Sequence, residues 1–233
     1  MRRLLEVHIP SRAATGVFAP PDFWRRKYFY SNPVARVYAQ HEPTLRLIFG
    51  AIAVERGPKG LGTEHRLLLS INGWRAFLRS VNLIERDVSK REASLCWAWS
   101  RTYVVDVSSS WGRRQYSHLP FLGFCEALGR VAALKALPTP AEIAASDFET
   151  AHEYLEYMER SKKPKYHEYL ARHASPWGAE PSRQPLEASL RGLISIIVGR
   201  MESDADGEIT DESALQAWSE RFGLGPVHGR DRY

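Results

Sequence analysis

The stretch from residue 202 to 213, ESDADGEITDES, spaces oxygen-bearing side chains in the manner of a calcium loop. Such a loop takes ligands from its positions 1, 3, 5, 7, 9 and 12 and needs glycine at position 6 for a sharp turn. With Gly207 at position 6, the apolar position 8, which pairs with the same position of a neighbouring loop, is Ile209. The candidate metal ligands are Glu202, Asp204, Asp206, Glu208 and Thr210.

The two ends of this loop depart from the calcium template. Position 1 is Glu202, whose side chain is longer than that of the usual Asp. Position 12 is Ser213, which cannot supply the bidentate carboxylate that calcium loops use there. We therefore expect the segment to keep the turn of a calcium hand while binding calcium weakly or not at all, and we expect no other cofactor.

Two further segments fit the same template but lack its ligands. In 81–92, VNLIERDVSKRE, Val88 falls at position 8, but Val81 and Leu83 take the first two ligand positions. A third fit places Leu119 at position 8, behind an enlarged loop and before the helical pattern FLGFCEAL. The first segment has Glu92 at position 12 but cannot coordinate calcium without ligands at its first two positions, and the second has no set of carboxylates. The first can still keep the shape of a hand.

Two segments mix basic residues with aromatic ones, PPDFWRRKYFY near the N-terminus and SWGRRQYSH further along. The net charge of +5, from 32 Lys and Arg against 27 Asp and Glu, favours acidic partners such as nucleic acid, anionic lipid or the acidic tails of tubulin. We expect the first segment to form an extended arm that contacts a partner; the alternative is a segment packed on its own domain. The predicted partner-binding residues are Phe23, Trp24, Arg25, Arg26, Lys27, Tyr28, Trp111, Arg113 and Arg114.

The histidines and cysteines form no catalytic or zinc motif. HEYLARH would need its second histidine at position 171 to match HExxH, and Ala171 stands there. Cys96 and Cys125 lie in apolar helical patterns, which predicts that both are core residues. The GxSxG and GxGxxG patterns of hydrolases and dinucleotide-binding proteins are also missing. We expect a non-enzymatic protein, and no apolar run is long enough to predict a membrane span.

Apolar residues recur at helical spacing along most of the chain, which predicts a mainly α fold. LLLSINGWRAFLRSV, starting at residue 67, is predicted as one helix, and DVSSSWGRRQYS as a polar loop. The predicted organisation is an extended arm at 1–32, a helical domain at 33–137 containing a degenerate EF-hand pair at about 67–137, a helical connector and linker at 138–185, an EF-hand-like helix-loop-helix at 186–223 and a tail at 224–233.

The run INGWRAFLRSVNLIERDVSKREASLCWAW, followed by YSHLPFLGFCEALGRVA, resembles the paired, mostly calcium-free EF-hands of the tubulin polymerization-promoting protein family and of EF-hand-like axonemal proteins. The shared features are a first helix containing Trp, a short loop before a Ser or Thr cap, and a helix of the form LxFxxFxEAL. The resemblance covers about 67–137, and the aromatic and basic insertion at 102–117 departs from it.

This resemblance implies a structural or adaptor protein of a cilium or flagellum, located in the cytoplasm and cytoskeleton. Such a protein would bind microtubules or other axonemal proteins through its basic aromatic arm and the grooves of its hands. Two alternatives stay open at this point. One is a basic RNA-associated subunit of a ribonucleoprotein assembly such as a mitochondrial ribosome, and the other is a calcium-responsive adaptor.

Overall fold

The computed structural model describes residues 21–55, 67–102, 104–179 and 183–205, together with Trp218 and Glu220. Helices dominate these residues, which confirms the mainly α prediction. None of the described helices is both long and apolar enough to cross a membrane.

The elements follow one another in a simple order along the chain. The first are α1 (Pro21–Trp24), a π-helical turn (Arg25–Phe29), α2 (Asn32–Ile52), β1 (Val54–Glu55) and β2 (Leu67–Leu68). The middle of the chain forms α3 (Ile71–Ser80), α4 (Lys90–Trp99), α5 (Ser110–Ser117) and α6 (Phe121–Leu134). The last are α7 (Pro140–Ala144), α8 (Ala151–Ser161), α9 (Lys163–His173) and α10 (Leu186–Ala205).

Polar caps fix where several helices begin. The Ser70 hydroxyl accepts a hydrogen bond of 3.1 Å from the Gly73 amide at the start of α3. Ser89 and Glu92 form a reciprocal capping box at the start of α4. Such caps satisfy backbone donors that have no partner within the helix, and each contributes about 1 kcal/mol to helix stability.

One hydrophobic core joins the N-terminal and C-terminal halves. Helix α6 lies at its centre, packed against α2, α4 and α10, and most of its residues are buried. The rings of Phe49 and Trp74 lie 5.4 Å and 6.2 Å from that of Phe124, centroid to centroid. Cys96 and Cys125 are buried and unbridged, as the sequence predicted. Trp218 also belongs to this core, so the chain returns to it after α10.

Two antiparallel pairings lie beside these helices. Strand β1 pairs with β2, with Val54 opposite Leu68. The next residue, Leu69, pairs with Leu119: each amide donates to the carbonyl of the other, at 2.8 Å and 2.9 Å. Both leucines are fully buried. The partner of Leu119 is therefore Leu69 rather than Val88, whose carbonyl accepts from the Glu85 amide.

Three local predictions are wrong. Residues 21–29 are helical and packed on the domain, not an extended arm, because Arg25 and the neighbouring rings find partners on α6. Leu67–Leu69 are extended rather than helical, because Ser70 caps α3 only after them. The second half of DVSSSWGRRQYS forms α5 instead of a loop, because Ser109 accepts from the Gly112 amide and starts a helix.

The predicted linker before residue 185 is attached to the domain at Trp177 and Arg183. The Trp177 ring lies edge-on to Trp99, with centroids 5.8 Å apart. Arg183 donates to Glu142 at 2.8 Å and to the Leu137 carbonyl at 3.0 Å. These contacts attach the segment before α10 to the rest of the domain.

Candidate interaction surface

Arg25 attaches the N-terminal helical turn to α6. Its Nε donates to Glu126 Oε2 at 2.8 Å, and Glu126 Oε1 accepts from Arg130 Nη2 at 2.7 Å. The side chains of Arg25 and Glu126 are only 13% and 6% exposed. Buried charges are tolerated only when they are paired and well hydrogen-bonded, and one carboxylate here satisfies two guanidinium groups. Residues 21–30 are thus fixed on the domain by a specific ionic contact.

Burial tends to lower the pKa of both arginines, and Glu126 tends to raise it. At Arg25, Glu126 outweighs burial, together with smaller contributions from Asp22 and Tyr30, so the pKa of Arg25 is raised. At Arg130 burial is the stronger effect and lowers the pKa, with Glu126 opposing it. Arginine stays protonated in proteins, so the pair remains fully charged.

Arg25 also closes the end of α4. Its Nη2 donates to the carbonyls of Trp99 and Arg101, both at 3.1 Å. The last carbonyls of a helix lack partners within it and carry partial negative charge, which favours a cation there. The same guanidinium therefore joins the N-terminal turn, the end of α4 and the middle of α6.

The aromatic residues of the turn are largely used inside the protein. The Arg130 guanidinium lies 4.3 Å from the Trp24 ring centroid, and Trp24 stacks on Phe29 at 5.7 Å. Phe29 meets the edge of Tyr38 at 5.6 Å, and the Tyr38 hydroxyl donates to the Cys125 carbonyl at 2.6 Å. These rings hold the segment in place and are not exposed platforms for a ligand.

Two basic residues of the turn point outward, whereas Tyr28 is half-buried. Arg26 and Lys27 are exposed, and the Lys27 ammonium lies 5.6 Å from the Phe23 ring centroid. Phe23 is 51% exposed and Tyr30 69%. The predicted partner-binding residues of this segment thus divide into anchoring residues and outward-facing residues.

A second outward-facing group is built on α5 by a tight turn. The Ser108 amide donates to Asp106 Oδ1 at 2.9 Å, and the Ser108 hydroxyl also bonds this carboxylate. These hydrogen bonds lower the pKa of Asp106. Gly112 is buried against the Asp106 carbonyl, and a Cβ at that position would overlap the carbonyl oxygen. The turn and the Ser109 cap together fix the start of α5.

Arg101 joins the two outward-facing groups. Its carbonyl accepts from Arg25, while its own guanidinium lies 4.9 Å from the Tyr116 ring centroid and donates to the Tyr116 carbonyl at 3.3 Å. Arg113 and Arg114, in the same helix as Tyr116, are exposed. We call the exposed side chains of residues 21–30 and 101–117 together the composite surface.

The composite surface concentrates the exposed apolar side chains of the molecule. Among the described residues, seven large hydrophobic side chains are exposed, and five of them lie in these two segments. The five are Phe23, Tyr30, Val105, Val107 and Tyr116. Trp111, also predicted as a partner contact, is half-buried. Aromatic residues and arginines side by side are typical of protein interfaces.

The predicted calcium loop is described only at its start. Helix α10 continues through residue 205, so Glu202 lies in its last turns and is half-exposed. Asp206, Glu208 and Thr210 lie outside the described residues. Within the described parts of the chain, no group of three His, Cys, Asp or Glu side chains could hold a metal ion. Weak or absent calcium binding stays a prediction.

Sequence reasoning missed Glu126, Arg130 and Arg101. A usable signal was present for the first two, because Glu126 and Arg130 stand four residues apart inside the otherwise apolar helix FLGFCEALGRVAAL. A charged pair within a buried helix needs further hydrogen-bond partners, which indicated polar groups from elsewhere in the chain. Comparisons with protein-family models, with curated proteins and with solved structures find no match to this chain.

Proposed function

We propose that this chain is a non-enzymatic adaptor of a cilium or flagellum axoneme that binds microtubules or other axonemal proteins through the composite surface. The observation that carries the proposal is the concentration of exposed apolar and basic side chains in two segments that meet at Arg101. Positive charge draws in an acidic partner, and the exposed rings and valines supply contact area once it has arrived.

The mutual pairing of Leu69 and Leu119 supports an EF-hand-like scaffold for this function. In paired hands, the residues at loop position 8 hydrogen-bond to each other just before their exiting helices. Leu69 immediately precedes Ser70, the residue that caps α3, and Leu119 precedes Pro120 at the start of α6. On this assignment the hands are α2 with α3 and α4 with α6, so the pair begins well before residue 67.

With the hands assigned in this way, the partner is not expected to bind in their groove. The face of α6 that carries Glu126 and Gly129 is already covered by Arg25 and Phe29. A partner would have to displace these buried contacts to enter there. The composite surface needs no such rearrangement.

The choice of tubulin rests on charge complementarity with acidic tubulin tails, and the axonemal setting rests on the sequence resemblance of residues 67–137, in which α3 and α4 would form one hand instead of belonging to two. Binding of single-stranded RNA relies on aromatic rings that stack on bases, so RNA would have to use the exposed rings Phe23, Tyr30 and Tyr116. Here Trp24 and Phe29 are packed against Arg130 and Tyr38 within the protein.

Co-sedimentation of the nuclease-treated protein with microtubules tests this proposal. We expect the wild-type chain to pellet with microtubules, and a variant carrying Arg26→Gln, Arg113→Gln and Arg114→Gln to bind about tenfold more weakly, which corresponds to about 1.4 kcal/mol. The matched control removes three exposed arginines elsewhere, with Arg160→Gln, Arg172→Gln and Arg191→Gln. Equal losses in the two variants, or binding that disappears on nuclease treatment, would contradict the proposal.

A further inference from the structure

The connection between α3 and α4 is held by a buried ionic network. Lys135 Nζ, fully buried, donates to Glu85 at 2.9 Å and to Asp87 at 3.1 Å. Asp87 also accepts from the Ala136 amide at 2.9 Å, and the Tyr166 hydroxyl donates to Glu85 at 3.0 Å. The connection is therefore tied to the end of α6 and to α9.

Helix α10 adds a second set of contacts to the same connection. Arg200 donates to the Val81 carbonyl at 2.9 Å and to Glu159 at 3.3 Å. Asn82, whose φ of 47° places it in the left-handed region, lies 3.4 Å from both Glu85 and Glu159 through its Nδ2. The carboxylates around this connection are thus occupied by internal partners.

The cations around the same network are not ion-paired, although Arg79 donates to the Arg75 carbonyl at 3.0 Å and Lys162 lies over the Tyr157 ring. Seven exposed basic side chains lie within four residues of Asn82, Glu85, Asp87 or Tyr166, and among the described residues none of the seven forms an ion pair. Their seven positive charges are more than the net charge of the whole chain, which is +5. We call them the linker face: Arg79, Arg86, Lys90, Arg91, Lys162, Lys163 and Lys165.

The linker face is separate from the composite surface. Arg25 binds the carbonyl end of α4 at Trp99, whereas Lys90 begins the same helix. Nine residues of α-helix span about 14 Å, at about 1.5 Å per residue. Along α6 the separation is similar, from Glu126 under the composite surface to Lys135 in the buried network.

We propose that the linker face is a second binding site, for an unstructured acidic polypeptide rich in glutamate or aspartate. Seven exposed cations that form no ion pair with the described carboxylates attract a chain of negative charges. Tyr157 is the exposed aromatic residue nearest to them in sequence, with its ring 5.1 Å from Lys162, so the face offers no row of rings for base stacking. It also lacks the apolar stripe with which amphipathic helices enter a membrane.

Fluorescence anisotropy with a labelled oligoglutamate peptide tests the site. The measurement uses the chain carrying Arg26→Gln, Arg113→Gln and Arg114→Gln, so that the composite surface does not contribute. We expect binding that weakens with rising salt. Adding Arg86→Gln, Lys90→Gln, Arg91→Gln and Lys163→Gln should weaken it at least tenfold. Adding Arg36→Gln, Arg160→Gln, Arg172→Gln and Arg191→Gln instead, which removes the same number of exposed charges, should change it less than twofold.

Three results would overturn this inference. The first is equal affinity of the linker-face variant and its matched control. The second is tighter binding of polyuridylate or of phosphatidylserine vesicles than of the peptide, with the linker-face variant weakening that binding. The third is a tenfold gain in peptide affinity when Asp206, Glu208, Asp211 and Glu212 are neutralised, which would make the chain's own acidic segment the occupant. Microtubule binding through the composite surface is measured separately, so the two proposals can fail independently.

Discussion

At the scale of single residues, buried charge organises this molecule. Glu126 holds Arg25 and Arg130, and Lys135 holds Glu85 and Asp87. In both places at least one partner comes from a distant part of the chain, so each group fixes a long-range arrangement. Removing one member leaves a buried charge without its partner. The resulting loss of stability is larger than the stability that the intact pair contributes.

Arg25→Gln should lower the free energy of unfolding by about 2–3 kcal/mol, because it removes charged hydrogen bonds to Glu126 and to two carbonyls. Chemical denaturation measures the change. Arg26→Gln, at the neighbouring exposed position, serves as the control and should change stability by less than about 0.5 kcal/mol. Similar values for the two variants would show that the contact with Glu126 does not anchor the segment.

The two cysteines should be unreactive in the folded protein. Burial raises the pKa of Cys125 to about 12, and burial also raises that of Cys96. Because the thiolate is the nucleophile, neither should be alkylated by iodoacetamide near neutral pH. Mass spectrometry should find no adduct on the native chain and two after unfolding in guanidinium chloride. Rapid modification of the native protein would contradict this packing.

At the scale of elements, capping residues decide where the helices begin. Contacts with distant residues decide whether some other segments are extended or helical. Apolar spacing predicted α2, α3, α4 and α6. Helices α2, α3 and α4 each bury one face and begin at Ser or Pro signals that are visible in the chain. Helix α6 begins after Pro120 and is buried on most of its surface. The strand residues Leu67–Leu69 were not predictable, because a run of leucines fits a buried strand and a buried helix equally well. Their extended form depends on Leu119, fifty residues further along.

Helix α10 crosses α8 closely at Gly199, where a Cβ would overlap the His152 ring. Gly199→Ala should therefore destabilise the protein by about 1–3 kcal/mol. Gly192→Ala is a control in the same helix, since its Cβ would make ordinary contact, 3.6 Å from Ala151. That change should be neutral or stabilising by up to about 1 kcal/mol. Thermal melts of both variants measure these changes. A destabilised Gly192 variant together with a Gly199 variant as stable as the wild type would contradict the close approach of α10 to His152.

At the scale of the whole molecule, the candidate site was predicted in part. The sequence indicated which segments carry basic and aromatic residues. It could not indicate that Trp24 and Arg25 face inward while Arg26 and Tyr30 face outward, because that division depends on Glu126, about a hundred residues away. The meeting of both segments at Arg101 also depends on tertiary structure.

Stability should fall on mild acidification. Burial lowers the pKa of His41, His152 and His173, and the charges of Arg191 and Arg183 add to this at His41 and His173. The unfolded chain therefore binds more protons than the folded one below about pH 6.5, the pKa of an unperturbed histidine. The stability that comes from the neutral rings is complete above that pH and is lost progressively as the pH falls towards the lowered values.

Thermal melts between about pH 7.5 and about pH 5.5 measure this effect. We expect the melting temperature of the wild-type chain to fall over this range and that of a His41→Gln, His152→Gln, His173→Gln variant to fall less. A variant with the same pH slope as the wild type would show that other groups govern the acid response.

The central claim is that the composite surface binds an acidic protein segment on microtubules. The most direct test compares binding to intact microtubules with binding to microtubules whose acidic tubulin tails have been removed by subtilisin. It uses the nuclease-treated chain carrying Arg86→Gln, Lys90→Gln, Arg91→Gln and Lys163→Gln at constant salt, so that the linker face does not contribute. We predict at least a tenfold loss of affinity on removal of the tails. A chain that binds both kinds of microtubule equally, or neither, would contradict the claim.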